Sequence, residues 1–290
     1  MILLTGATGK FGKATIDHLL KKGIPPNTIA AFVRDDSKAA ALKETGVNIR
    51  KGNYDDYDSL LAAFNGVDKL LLVSGSDIHN RLRQQTNVIK AAREAGVNHI
   101  VYTSFIRRNE GETSPIAFVA KSHIETEKLI KASGIPYTIM MNGLYADMLP
   151  IFFGEKVLET GIFLPAGDGK AAYATRNDMA EAAANILLDE GHKNKQYVIT
   201  NSDNYSLQDA ASILSELTGN SISYTKPSST LYTETLTKAG VPAEYVGIFA
   251  SFSEAIRQGE FETSSTDLER LLGRAPATLN EYFTSVYMSK

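Results

Sequence analysis

A short apolar strand that runs straight into three evenly spaced glycines constrains this chain more than any other feature. Met1 to Leu4 has no polar break, the pattern of a central parallel strand buried on both faces. Gly6, Gly9 and Gly12 follow, and an amphipathic segment, Phe11 to Lys22, begins among them. In that setting Gly6 allows a tight turn, and Gly9 removes the Cβ that would hold a pyrophosphate off the backbone. Gly12 lets the helix pack closely on the sheet. The free N–H groups at the helix start, with its positive dipole end, then face phosphates. Thr8, Lys10 and Phe11 lie within the same turn and are assigned to it. The spacing is GxxGxxG rather than GxGxxG, so its position between strand and helix carries the assignment.

Strand and helix signals alternate through the first half. Apolar runs occur at 29–33, 47–49, 69–73, 99–102 and 137–141, with helical segments near 37–44, 57–64, 80–95 and 120–132. Gly23, Gly46, Gly66, Gly96 and Gly134 stand where each helix should end. This alternation predicts an α/β fold, a Rossmann-type doubly wound parallel sheet. Beyond Gly143 the pattern is less regular. Helices are expected at 155–159, 177–188 and 206–218, strands at 196–200 and near 222–225, and helical stretches from 229 onward. Ser206 and Asp209 have the spacing of a capping box. The expected organisation is a dinucleotide-binding core over 1–145. A smaller, interleaved, mainly substrate-side lobe spans 146–290, with some elements returning to the core.

Composition excludes several classes. A net charge of −3 with both signs mixed points to no nucleic acid and no membrane surface. With no cysteine there is no disulfide, thiolate nucleophile or thiolate metal site. His18, His79, His99 and His192 are scattered without metal-ligand spacing, so no metal is expected. The N-terminus reads as a structural strand rather than a signal peptide, and a cytoplasmic protein is expected. The sequence points to no particular oligomeric state.

Further cofactor residues follow from the strand ends. The second strand ends in Val33-Arg34. An acidic residue there would accept from a ribose 2′-hydroxyl, whereas an arginine suits a 2′-phosphate. The cofactor is therefore expected to be NADP(H), with NADPH preferred over NADH, although Asp35 and Asp36 pull the other way. Asn53, after the third strand, offers a donor and an acceptor to an adenine edge, and Tyr54 stands beside it. Ser74 and Gly75 end the fourth strand where the chain passes close to the dinucleotide. Ser104 ends the fifth and points a hydroxyl toward the nicotinamide region.

These residues resemble the NmrA-like atypical short-chain dehydrogenase/reductases. The matching features are Gly6-Ala-Thr-Gly9-x-x-Gly12, Val33-Arg34, Gly52-Asn-Tyr54, His123-Ile-Glu-Thr-Glu127, Ser133-Gly-Ile-Pro-Tyr-Thr138, Asn142-Gly-Leu-Tyr145, Pro165-Ala-Gly-Asp-Gly169 and Arg176-Asn-Asp178. The resemblance spans nearly the whole chain and is strongest to the bacterial quinone-reducing and triphenylmethane dye-reducing branches. It implies a Rossmann core, a small C-terminal domain and NADP(H). One departure from the wider superfamily bears on mechanism. None of the thirteen tyrosines has a lysine four residues later, the pair that ordinary members use for proton transfer. Aligned on Glu127, His123 takes the lysine position and Val119 the tyrosine position. Met141 also stands where close relatives often carry arginine.

Without that pair, the expected reaction is hydride transfer from NADPH to a quinone or a similar conjugated, electron-poor small molecule. His123 is the candidate proton donor, and Tyr145 the candidate aromatic wall or hydroxyl donor. Arg176 and Asp178 are expected to tie the lobe to the core or cap a helix. Two other readings stand beside this one. The first is a non-catalytic NADP(H)-binding redox-sensing regulator, which the same missing pair suggests. The second is a nucleotide-sugar epimerase, which the glycine fingerprint alone would suggest and the missing pair disfavours.

Overall fold

The structure, a computed structural model, describes residues 1–288. Its first half alternates as the apolar runs dictate: β1 (Ile2–Leu4), α1 (Lys10–Lys21), β2 (Ile29–Val33), α2 (Ala40–Glu44), β3 (Asn48–Lys51), α3 (Tyr57–Phe64), β4 (Lys69–Leu72), α4 (Arg81–Glu94), β5 (His99–Phe105), α5 (Ala117–Ala132) and β6 (Tyr137–Asn142). The second half adds β7 (Leu144–Tyr145), α6 (Leu149–Phe153), α7 (Val157–Thr160), β8 (Ile162–Phe163), β9 (Lys170–Ala174), α8 (Arg176–Leu188) and β10 (Lys195–Ile199). It ends with β11 (Asn204–Ser206), α9 (Leu207–Thr218), β12 (Tyr224–Thr225), α10 (Ser229–Lys238), α11 (Ala243–Arg257), α12 (Asp267–Leu272) and α13 (Leu279–Phe283).

Seven strands pair in the order β10-β6-β5-β4-β1-β2-β3, every neighbour parallel. This is the doubly wound Rossmann-type sheet. Neighbouring residues of one strand enter different cores. Leu4 of β1 and Leu71 of β4 pack with Ile16 and Leu19 of α1 and Ala180 and Ile186 of α8. Leu3 and Leu70 pack on the opposite face with Phe64, Val88 and Ile130. Burial on both faces is why these strands read as continuous apolar runs rather than alternating ones. Each crossover helix ends in a glycine that reverses the chain. Gly96, at φ +74°, carries the chain from α4 into β5, and Val97 N–H closes the motif on Ala92 O at 2.9 Å.

The chain beyond β6 divides between two regions. α8 and β10 return to the sheet, α8 against α1 and β10 as the edge strand beside β6. α12 also packs against α8, with Leu268 in the same core, and most of the rest builds a separate core of Leu144, Tyr173, Leu214, Tyr232, Phe261 and Phe283 around two small sheets, β11-β9-β7 and β12-β8. The capping box on α9 forms: Ser206 Oγ accepts from Asp209 N–H, and Asp209 returns the bond from Ser206 N–H. Boundaries shift where sequence signals are weak. α5 starts one turn earlier than residue 120, continuing directly from the turn at Ser114–Ile116. β7 and β8 are two residues long, too short for any periodicity to register, and β9, Lys-Ala-Ala-Tyr-Ala, is rich in alanine and so carries no strand signal of its own. No helix among the described residues is long and apolar enough to cross a membrane.

Buried charge ties the lobe to the core. Glu260, 4% exposed, accepts from the backbone N–H groups of Arg108 and Asn109, both at 2.9 Å. Arg107 forks onto Glu127 at 2.7 and 2.9 Å, with both side chains buried. Replacing either member alone would strand a buried charge, at a cost of roughly 3–5 kcal/mol.

His99 provides a pH test of the core. It is 3% exposed and donates from Nε2 to Thr138 Oγ1 at 2.9 Å, because that hydroxyl is already donating to His192 O. Burial, with Lys69 and Lys193 nearby, pushes its pKa down to about 4. The unfolded chain takes up this proton near pH 6.5 and the native state only near 4. The stability contributed by neutral His99 is therefore complete above about 6.5 and lost as the pH falls toward 4. Urea unfolding at pH 7 and pH 4 should show about 3 kcal/mol more acid destabilisation in the native sequence than in His99→Gln. Equal losses would mean that His99 does not resist protonation.

Candidate active site

Successive crossovers run one way from β1 through β2 to β3 and the other way from β4 through β5 to β6. The loops after β1 and β4 therefore diverge and leave a crevice at the carboxyl edge of the sheet. Thr5 holds its floor together: its N–H bonds Leu71 O at 2.9 Å, and its Oγ1 accepts from Val73 N–H at 2.9 Å. Gly6 then turns the chain at φ +59°, and Gly9 N–H closes the turn on Gly6 O at 2.9 Å. A Cβ on Gly12 would stand 2.4 Å from Gly6 O and 2.9 Å from Ala7 Cα. Gly12 thus seats α1 on its own entry turn, not on the sheet as its place in the motif suggests.

α1 begins without a side-chain cap at Gly9 and without an acidic residue in its first turn. Asp56, Thr175, Ser206, Ser228 and Thr278 cap other helices of the same chain. The positive end of α1 is left open toward the crevice, where an anion would take the place of the missing cap.

The crevice is a cleft of about 520 Å³. Gly6, Thr8, Gly9, Lys10, Phe11 and Gly12 line its middle. Arg34, Asn53 and Tyr54 line one end, with Ser74 and Gly75 on the β4 side. Arg34 is exposed and forms no ion pair with a described residue. Asp35 does not oppose it, because its carboxylate accepts from Ser37 N–H at 2.9 Å and Ser37 Oγ at 2.8 Å. Those bonds hold the Asp35 pKa below the usual carboxylate value. The Asp36 side chain lies outside the described residues. Tyr54 stacks on Phe32 with ring centroids 5.7 Å apart and planes 3° apart. Asn53 Oδ1 accepts from Asp55 N–H at 3.2 Å, which orients the amide and leaves a second lone pair and the amide N–H groups open to a ligand. Thr103 Oγ1, one strand over, accepts Ser74 N–H at 2.8 Å and fixes that wall.

Three residues assigned from the sequence stand elsewhere. Ser104 does not line the cleft. It is 3% exposed and donates its hydroxyl to Glu127, within the Arg107–Glu127 ion pair. Alternation explains the exchange, since consecutive residues of β5 face opposite sides and Thr103 takes the cleft-side role. His123 is 4% exposed and fully committed. Arg81 Nη1 lies 3.2 Å from Nε2, and a guanidinium only donates, so Nε2 accepts and Nδ1 carries the proton. Nδ1–H donates to the Tyr102 hydroxyl at 2.8 Å, which in turn donates to Gln85 Oε1 at 3.2 Å. Burial, with Arg81 and Arg107 close by, holds the His123 pKa well below its ordinary value. The imidazole stays neutral and has no proton to present to the cleft. Tyr145 lies behind the wall. The Arg176 guanidinium covers its ring at 4.6 Å from the centroid, and Asn142 Nδ2 donates to its hydroxyl at 3.4 Å.

Sequence reasoning gave Arg176 a tying or capping role rather than a place in the cleft, and did not single out Gln84; both line the cleft. Arg176 opens α8, bound to Asp147 through its N–H at 2.7 Å and Nη1 at 3.1 Å. Only the packing of α8 on α1 brings it beside the glycine turn. Asp178 does tie segments together, accepting from Arg274 at 2.7 Å and from Ala277 N–H at 2.8 Å. Among the described residues no group of three or more His, Asp or Glu is placed to hold a metal ion.

Residues 1–283 match the model of the NmrA-like family. The chain is 37% identical to quinone oxidoreductase 2 of Escherichia coli, over 99% of each chain. Among solved structures, it superposes on the Citrobacter sp. triphenylmethane reductase complexed with NADP(H) at a TM-score of 0.90. The two are 38% identical, with 98% of this chain and 99% of that one covered. The E. coli NADPH-dependent quinone oxidoreductase complexed with NADPH also gives a TM-score of 0.90, at 35% identity over 99% and 100% of the two chains.

An unpaired guanidinium at the end of β2 should discriminate between cofactors. Arg34→Ala is expected to weaken NADPH binding by about 2 kcal/mol, roughly thirtyfold, and NADH binding far less. Calorimetric titration with both cofactors checks this, and equal losses would show that Arg34 reads no 2′-phosphate.

Proposed function

The chain belongs to the NmrA-like family, and on that premise we propose that it is an NADPH-dependent reductase that passes a hydride to a quinone or a similar conjugated, electron-poor acceptor. The observation that carries this reading is the open, uncapped start of α1 on its glycine turn, with the unpaired Arg34 at the end of the same cleft. The donor set suits an extended dianionic ligand bearing one further phosphate. Gly6, Thr8, Gly9, Lys10, Phe11 and Gly12 would hold the pyrophosphate and Arg34 the 2′-phosphate. Asn53 and Tyr54 would flank the adenosine, with Ser74 and Gly75 beside the nicotinamide ribose.

When bound, NADPH supplies the hydride from C4 of its dihydronicotinamide. The protein's part is to orient the ring, exclude water and stabilise the charge that develops on the acceptor. Alcohol oxidation and sugar epimerisation need an acid–base hydroxyl, and the position such a tyrosine would occupy carries the buried Val119. His123, neutral and doubly bonded, does not replace it. An acceptor that takes a hydride without prior protonation fits this site. The same reading has the protein act in the cytoplasm on a small diffusible molecule.

Purified protein should oxidise NADPH when offered simple benzoquinones or naphthoquinones, followed as loss of cofactor absorbance. Intact NADPH binding without turnover across a broad acceptor panel would overturn the reductase reading and leave a nucleotide-binding regulator.

A further inference from the structure

A buried arginine at the carboxyl edge of the sheet has no ion-pair partner among the described residues, and only the exposed Asp77 acts on it from a distance. Arg81, first residue of α4, is 6% exposed, and no carboxylate bonds it. Its Nε donates to Gly75 O at 2.7 Å, and its Nη1 donates to Ser122 Oγ and His123 Nε2, both at 3.2 Å. All three acceptors are neutral: Ser122 gives its own proton to Val119 O, and His123 carries its proton on the other nitrogen. Nη2 has no partner among the described residues, yet it is not one of their enclosed unpartnered atoms, so it keeps a path to solvent. The nearest carboxylate in sequence, Asp77, is exposed and engaged by Asn80 N–H and Nδ2. The contrast with Arg107 is sharp, since that equally buried guanidinium is neutralised by Glu127 and Glu110.

A buried guanidinium without a counter-charge is costly, and a chain tolerates one where an anion arrives from outside. Arg81 sits at the positive end of the fourteen-residue helix α4, which adds to its field. Arg81 stands just behind the cleft lining, but its backbone acceptor, Gly75, and its chain neighbours Asp77 and Gln84 line the cleft on the β4 side, toward which the nicotinamide end of a dinucleotide extends.

We propose that Arg81 is the electrophilic group of the site: its Nη2 N–H meets the acceptor oxygen on which negative charge develops during reduction. This rests on the reductase reading and narrows its substrate class to acceptors that finish the hydride step as an oxyanion. In such a step the C4–H bond of the cofactor breaks and that hydrogen bonds to an acceptor carbon conjugated with a carbonyl. The displaced electron pair moves onto the carbonyl oxygen beside Arg81, which then takes a proton from water; loss of one proton from the new CH2 carbon to water and gain of one at the second carbonyl oxygen give the aromatic hydroquinone. A cationic triphenylmethane dye behaves oppositely. Hydride addition cancels its charge, so a fixed buried cation opposes its binding and gives its transition state nothing.

The two substrate types separate this role from mere bracing of Gly75. In Arg81→Gln, the ratio of kcat/KM for a naphthoquinone to that for a cationic triphenylmethane dye should fall about a hundredfold, the scale of losing one oxyanion donor. Arg81→Lys should recover part of it. Equal losses on both acceptors would overturn the proposal and leave Arg81 as a positioning residue for the loop. A native protein that reduces no quinone at all would instead overturn the reductase reading itself.

A second measurement needs no turnover. Bound to the NADP⁺-loaded protein, 4-nitrophenol should ionise at a pH at least one unit lower in the native chain than in Arg81→Gln, read from the phenolate colour, the cofactor's own charge being common to both. Equal ionisation in the two proteins would overturn the proposal.

Discussion

Burial of one parallel sheet on both of its faces is the constraint from which the rest of this structure follows. Because helices cover both faces, only the strand ends remain open to ligands, and the reversal of winding between β1 and β4 opens one of those ends. The chemistry of the protein is therefore that of its strand termini. Thr5, Arg34, Asn53, Ser74 and Thr103 all stand within a residue or two of the last paired position of a strand. Arg34, Asn53 and Ser74 line the cleft with no special loop, and Thr5 and Thr103 brace its floor and wall from behind. The sheet delivers them there.

Polar groups that the sheet carries inward are treated in two ways. Several that face the α4–α5 layer or the lobe are satisfied within the protein: Ser104 on Glu127, Arg107 on the same carboxylate, Glu260 on two backbone N–H groups. Those that border the cleft are left short of partners. Among the described residues the start of α1 has no side-chain cap, the exposed Arg34 has no ion-pair partner, and one nitrogen of the buried Arg81 is unbonded. Such groups are tolerated where a ligand completes them, because an unmet buried donor costs roughly 1–3 kcal/mol. The deficit outlines a ligand that is anionic at its middle and at one end, and that generates negative charge near its other end.

How legible this was depended on whether a signal was local. The glycine turn was read correctly in position because strand, turn and helix are contiguous, yet the seat of Gly12 on Gly6 needed the coiled geometry. Ser104 and Thr103 could not be told apart, because the choice depends on which face of β5 turns to the cleft, a property of the whole sheet. His123 looked like an acid because its neighbours in space, Arg81 and Tyr102, lie 42 and 21 residues away and do not announce themselves. Arg81 gave no signal at all. In sequence it is one of several charges that open a helix, and only its burial without an anion sets it apart.

The bond from Glu260 to the backbone of Arg108 and Asn109 has a consequence for how such proteins diversify. The segment that follows β5 is held by a carboxylate belonging to the lobe, 151 and 152 residues downstream. A lobe borrowed from a relative to change acceptor preference would arrive with its own answer to those two N–H groups. In this chain the loop and the lobe therefore act as one unit, and exchanging the lobe alone removes the acceptor of those two N–H groups unless a carboxylate stands in the place of Glu260.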